Sequence, residues 1–188
     1  IIGGSVISSF EFDTSYSAAT TPHIIHISGN YFAIAYKNST GAGQLIVVDI
    51  STSGVIGSIV ASPWQFDTGL DSRSTKIIHI SGDVYAITYT VSKTIRTKTF
   101  TINSSTGAIG AEIASFATNL TPGVAGNIDA IKLQNSPVLV MTARTTTTIS
   151  AFSVRTVIVT DDGHFGSSLL NSFDYTLPTY PYLPRVVE

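Results

Sequence analysis

Pro22-His-Ile-Ile-His-Ile-Ser-Gly-Asn-Tyr-Phe-Ala-Ile-Ala-Tyr36 returns 53 positions later as Thr75-Lys-Ile-Ile-His-Ile-Ser-Gly-Asp-Val-Tyr-Ala-Ile-Thr-Tyr89, and the rest of the chain is spaced around that recurrence. Self-similarity at this period marks one supersecondary unit copied in series. Working outward, four kinds of apolar segment follow one another in fixed order. The first kind covers Ile24 to Ile27, Ile77 to Ile80, the weaker Ile128 to Leu133, and a truncated Val186-Val187. The second covers Tyr31 to Tyr36, Val84 to Tyr89 and Val138 to Ala143, and the third Gln44 to Ile50, Thr97 to Ile102 and Arg155 to Val159. The fourth covers Ser58 to Phe66, Ala111 to Phe116, Ser167 to Phe173 and, near the N-terminus, Ser5 to Phe12.

Each complete segment is short, rich in Ile, Val, Tyr, Phe and Thr, and bounded by Gly, Asn, Asp or Ser, which is the composition of a β-strand. No stretch of ten or more residues keeps a 3.6-residue apolar period, so almost no helix is expected. Ser28-Gly29-Asn30, Ser81-Gly82-Asp83 and the glycine-bearing stretches 54–57, 107–110 and 163–166 suit tight hairpins between antiparallel neighbours. The stretches 13–22, 67–75, 117–126 and 174–184 are longer, carry Pro, Gly and Thr, and are read as crossovers from one sheet to the next.

Four antiparallel strands per 53-residue unit, followed by a crossover, is the repeat of a β-propeller blade. The pattern Ile-Ile-His-Ile-Ser-Gly, then Tyr-Ala-Ile-x-Tyr or its variant, then Gly-x-Ile-Gly, then Phe-Asp-Thr resembles the repeats of β-propellers in large prokaryotic and viral extracellular or surface proteins. The likeness runs over essentially the whole chain and implies an architecture and an extracellular, cell-surface or virion-surface setting; it identifies no activity, and nothing catalytic is implied by it. The third repeat departs from it: Ile131-Lys132-Leu133-Gln-Asn-Ser-Pro137 replaces Ile-His-Ile-Ser-Gly, and Phe116-Ala117-Thr118 stands where Phe-Asp-Thr belongs.

The expected organisation is a single all-β repeat domain over 1–188: a partial blade at 1–14, blades at 22–66, 75–116 and 127–173, and the start of another at 184–188. In the phase set by the crossovers, Ser5 to Phe12 is the outermost strand of one blade and Val186-Val187-Glu188 opens the innermost strand of another. The alternative phase puts the fourth segment innermost and makes Ser5 to Ile50 a whole blade. Either way about three and a half repeats fall short of a ring of four to eight blades. The expectation is an incomplete ring, completed by further repeats of a parent chain or by copies of itself. The opening Ile1-Ile-Gly-Gly4 lacks a methionine, a basic n-region and an apolar h-region, which fits an excised or processed piece.

Composition narrows the chemistry. A chain of 188 residues can hold a core without staples. It has no cysteine, so neither disulfides nor thiolate chemistry enter. Charged residues make up 12 %, against a usual share near a quarter, and Ser and Thr supply the surface. A net charge of -2 with no Lys/Arg cluster gives no footprint for nucleic acid or an anionic membrane. No apolar run approaches the length needed to cross a bilayer as a helix.

Candidate sites are few. His26 and His79 share one repeat slot, with Lys132 and Glu188 in the equivalent places, and all four are candidate axis-lining residues. Two imidazoles fall short of the three or four ligands a metal needs, which favours a structural role, and no cofactor or metal is expected. Asp13, Asp67 and Asp174 each follow an aromatic at the start of a crossover, and Asx-turns explain them better than calcium ligation. Asp161-Asp162-Gly163-His164 is the densest polar cluster, but it aligns with plain turns at 52–54 and 105–107. Sequons begin at Asn38, Asn103 and Asn119. Trp64, Tyr16, Tyr180 and Tyr182 are candidate sugar-stacking aromatics. No nucleophile, base and orienter recur at compatible spacing, so the sequence points to a non-enzymatic structural or adhesive module, with a glycan- or host-surface-binding propeller as the alternative.

Overall fold

The structure is a computed structural model that describes residues 6–12, 22–68, 72–119, 125–146 and 150–177. Every regular element among them is a strand. The first sheet contains β1 (His23–Ser28), β2 (Tyr31–Lys37), β3 (Gly43–Ile50), β4 (Ile56–Ile59) and β5 (Trp64–Asp67). The second contains β6 (Ser72–Ser81), β7 (Val84–Val91), β8 (Thr94–Ile102) and β9 (Ile109–Asn119), and the third β10 (Ala125–Lys132), β11 (Val138–Thr146), β12 (Ser150–Val159) and β13 (Phe165–Leu177). Strands pair antiparallel in chain order within each sheet, except that β5 of the first sheet pairs with β3 beside β4. The all-β class and the four-stranded unit expected from the repeat are present.

Register repeats as the sequence does. Ile34 faces Ile46 across the first sheet, and the matching Ile87 and Met141 face Lys98 and Arg155. The first hairpin turns at Gly29 (φ 53°) and Gly82 (φ 51°), a left-handed conformation that costs a glycine little.

Three expectations about boundaries are corrected. The fourth segment of the first repeat is two short strands, because Pro63 has no N–H to give to β3; β4 pairs near Val48 and Ile50, β5 near Gly43 to Leu45. The crossovers are shorter than expected: β6 begins at Ser72, β9 runs to Asn119, and β13 continues to Leu177, so the ends of these stretches join the ladders. Residues 6–12 are not a strand, for no neighbouring strand among the described residues offers them a ladder.

Those residues nevertheless stand where the repeat puts them. Gly54 of the first sheet lies against Ile7, Gly107 of the second against Val60, and Gly163 of the third against Ile113. Ile7, Val60 and Ile113 are each 53 positions apart, and the three glycines are 53 and 56 positions apart, the third repeat being three residues longer to this point. Phe12 sits on Tyr36 with centroids 4.7 Å apart, as Phe66 sits on Tyr89 at 5.0 Å. Residues 6–12 thus make toward the first sheet the contacts that a fourth strand makes toward the sheet after it.

The core lies between sheets. Ala33, Ala35, Leu45 and Val47 of the first meet Ile77, Tyr85, Ile87, Tyr89 and Phe100 of the second, with Phe66 among them. Ile78, Ile80, Ala86 and Ile95 on the other face of the second meet Leu139, Met141, Ala143, Val157 and Val159 of the third. The middle sheet is therefore apolar on both faces, which explains why its strands do not alternate. Sheets stand closest at their first strands, where β6 packs on β10, and fan apart until β9 and β13 barely touch. Ile87 is fully buried. Replacing it with alanine should cost about 2–5 kcal/mol in urea unfolding through lost burial plus a cavity; a loss below 1 kcal/mol would contradict this packing.

Candidate site at the sheet junctions

The first strands bring three unlike titratable residues to one repeat slot: His23, Lys76 and Asp129, opposite Ala35, Thr88 and Thr142. Lys76 Nζ lies 3.2 Å from Asp129 Oδ1, with the carboxylate side chain only 11 % exposed. On the other side, the Ile77 backbone N–H donates to His23 Nδ1 at 3.1 Å, joining the second sheet to the first. Neighbouring slots add Thr75 Oγ1 donating to the Ala35 carbonyl and Ser74 Oγ donating to Asn127 Oδ1. Burial, and then the Lys76 charge, pull the His23 imidazole down to about 4, against a smaller opposing pull from Asp129.

At the outer rim the junctions carry a second set of polar contacts. Asp67, buried at the end of β5, lies 3.6 Å from Arg96 of β8, so beyond any turn it shapes it faces the second sheet. Thr99 Oγ1 donates to the Gly163 carbonyl at 2.6 Å across the next junction. Asp174 does not open a crossover as expected; it lies inside β13, accepting from Ser153 Oγ at 2.6 Å and from Arg155 Nη2 at 3.0 Å. Those donors, Arg155 first, hold its carboxyl below the usual range. Asp13 lies outside the described residues.

His26 and His79 are placed identically within their own sheets. Each imidazole Nε2 lies 2.9 Å from the carbonyl of its own hairpin glycine, Gly29 or Gly82. Each ring also tilts against the aromatic across the strand pair, Phe32 at 4.9 Å or Tyr85 at 5.1 Å. Both therefore brace a turn. Lys132, in the third copy of that slot, instead pairs with Asp161 at 3.6 Å. Glu188, Tyr16, Tyr180 and Tyr182 lie outside the described residues. Trp64 is half-buried between sheets, 4.8 Å from Phe100 and 6.2 Å from Phe66, with its ring engaged in packing.

The 161–164 cluster is a turn closed by Gly163, whose N–H donates to the Thr160 carbonyl. Thr160 Oγ1 donates to Asp162 Oδ1, and His164 Nδ1 lies 3.4 Å from the same oxygen, so hydroxyl and imidazole both point at the carboxylate and not at each other. That is a turn brace without a nucleophile–base pair. The sequon asparagines do similar work: Asn38 Oδ1 accepts from Thr40 and Ala42, and Asn103 Oδ1 from Ser105 and Thr106. Among the described residues no group of three His, Cys, Asp or Glu side chains converges as a metal site.

The fold and these junctions define an all-β chain of three serially packed, in-order antiparallel sheets whose polar residues join one sheet to the next. No family model, curated protein or solved structure matches it.

His23 sets a pH dependence with a definite sign. Its folded value, about 4, lies below the ordinary 6.5, so between those limits the unfolded chain binds the extra proton and stability falls as the pH drops. Discounted for an imidazole that is only partly buried and screened by water, the loss should be on the order of 2 kcal/mol, most of it reached by pH 4. Urea unfolding from pH 7 to 4 measures it, and His23→Asn, which keeps an acceptor without the titration, should flatten that part of the curve. An unchanged slope in the variant would refute the assignment.

Proposed function

We propose that this chain is a non-enzymatic structural or adhesive repeat module of an extracellular or surface protein, built from β-propeller-type blades, and that its two end faces receive further sheets of the same repeat. One observation carries the reading. Residues in the same repeat slot are buried where a neighbouring sheet exists and bare where none does: Ile77 is 3 % exposed and Ile24 51 %, while Ile80 is 5 % exposed and Leu133 39 %. On the third sheet Phe173 and Tyr175 stack in parallel at 6.4 Å with their faces out, 61 % and 51 % exposed. Phe116, the counterpart of Phe173, is covered by Phe165 of the third sheet.

A contiguous apolar sheet face is a surface proteins seldom leave bare. The occupant it suits is another sheet with large apolar residues in the slots of Ile77 and Ile87, because that is what covers the same slots elsewhere in this chain. Residues 6–12 support the same reading at the other end, since they stand in the place of a preceding fourth strand. Sheets that pack in series on both faces make a scaffold, and the polar groups of the described residues are spent on turns and junctions, which leaves the surface to present contacts and not chemistry.

Multi-angle light scattering on the 188-residue chain tests this. Association that grows with concentration is expected, and Leu133→Asp with Phe173→Asp should return the chain to monomer without loss of its β circular dichroism. A well-folded monomer at every concentration would contradict the open-ended arrangement.

A further inference from the structure

The free face of the first sheet carries nearly the same socket as the face of the second sheet that the first one fills. By register and repeat, Ile24, Phe32, Ile34 and Tyr36 stand in the places of Ile77, Tyr85, Ile87 and Tyr89. In the second sheet all four are buried, packed with Ala33, Ala35, Leu45 and Val47 from the second and third strands of the first sheet. In the first sheet the cover is graded. Tyr36 is buried against Phe12, Phe32 and Ile34 are half-buried, and Ile24 is 51 % exposed. Residues 6–12 thus close the Tyr36 end of the socket and leave Ile24 bare.

That segment stands in the place of a fourth strand with its ladder side unused. Val6 and Ile7 precede Ile59 and Val60 by 53 positions, and Ile7 and Val60 lie against equivalent turn glycines, Gly54 and Gly107. In the first sheet Ile59 pairs with Val48, and the Val60 N–H donates to the Val47 carbonyl at 2.8 Å. No strand among the described residues does this for Val6 and Ile7. Side-chain packing places the segment, together with the Ser8 hydroxyl, which accepts from the Ile56 N–H at 3.2 Å. A backbone set in a strand's place by packing and left without a ladder is a template for strand addition.

The occupant is constrained from two sides. A whole four-stranded sheet would bring its own fourth strand into the place that residues 6–12 already hold. In this chain the third strands β3, β8 and β12 are each paired on that side, so the described sheets of a second copy do not fit. Three strands fit, provided that the third has a free edge. Their face must match the socket, and the strands that match it within this chain are β1 to β3, with small residues at Ala33 and Ala35. They also bring an acceptor: His23 Nδ1 takes the Ile77 N–H at 3.1 Å, and Ile24 is the equivalent of Ile77.

We propose that residues 6–12 are the fourth strand of a composite sheet, and that the free face of the first sheet receives three antiparallel strands resembling β1 to β3, the third of them laddered onto 6–12. A carbonyl of that third strand accepts from the Ile7 N–H, as Val47 accepts from Val60. The proposal rests on the reading that this face takes a further sheet, and adds the number of strands in the partner, the edge it joins and the register it takes.

The test supplies those strands. A second copy of residues 22–54 is joined ahead of Ile2, so that the turn keeps its glycine and residues 6–12 follow at the spacing of the first repeat. Amide exchange at Ile7 and hydroxyl-radical modification of the original Ile24 are compared with those of the 188-residue chain. Ile24 is followed in the peptide that begins before Pro22, which only the original copy has. In the extended chain, exchange at Ile7 should slow by about a hundredfold and Ile24 should be spared. Ala35→Asp with Leu45→Asp in the added copy should cancel both changes, and their persistence would overturn the assigned register. Ile24 spared with Ile7 still exchanging freely would overturn the shared strand while leaving a stacked sheet. Both positions unchanged, whether or not the added copy folds, would overturn the docking face as well.

Discussion

Face-to-face packing between sheets is the constraint on which the rest of this structure depends. A four-stranded antiparallel sheet that is apolar on one side can stand on a helix layer or a solvated edge, but one that is apolar on both sides needs two neighbours. The middle sheet has them. Tyr85, Ile87 and Phe100 look one way, Ile78, Ala86 and Ile95 the other, and all are buried. The small residues Ala33, Ala35 and Ala86, all fully buried, let the large ones opposite them in. Hairpin glycines complete the fit. A Cβ on Gly107 would stand 3.1 Å from Val47 and Val60, and one on Gly163 3.0 Å from Ile113, both at positive φ.

Apolar packing alone would not distinguish one junction from the next, since the slots hold much the same residues in each copy. The polar groups do. His23 accepts from the Ile77 amide at one junction, while Lys76 meets Asp129 at the other. Asp67 with Arg96 marks the first junction at its rim, and Thr99 with the Gly163 carbonyl marks the second. Unlike partners in equivalent slots make a wrong pairing leave a buried charge or an unmet donor, which discriminates among near-identical repeats more sharply than shape can. Partly exposed pairs of this kind add little to stability, so order is their main effect.

Much of this was legible in the sequence because a repeat reports its own period. The recurrence of Ile-Ile-His-Ile-Ser-Gly located the first hairpins, and glycines at 54, 107 and 163 the later ones. Strand ends were less legible: 94–96 and 117–119 lie outside the recurring apolar segments, and only the ladder between them makes them strands. The break at Pro63 was readable in principle, since proline cannot serve a central ladder. The repeat also placed His23, Lys76 and Asp129 in one slot, but their change of residue type hid them from a search for recurring chemistry. His26 and His79 drew notice for the opposite reason: they recur because they brace identical turns. Ala117 in place of Asp was visible as a departure from the repeat.

The central claim is that burial of a slot is decided by whether a sheet stands next to it, and not by the residue in the slot. Hydroxyl-radical footprinting with mass spectrometry compares equivalent side chains within one molecule. Done on dilute monomer, it should modify Ile24, Leu133 and Phe173 readily while sparing Ile77, Ile80 and Phe116. Equal modification of the paired positions would mean that the sheets do not pack in series and would contradict the account.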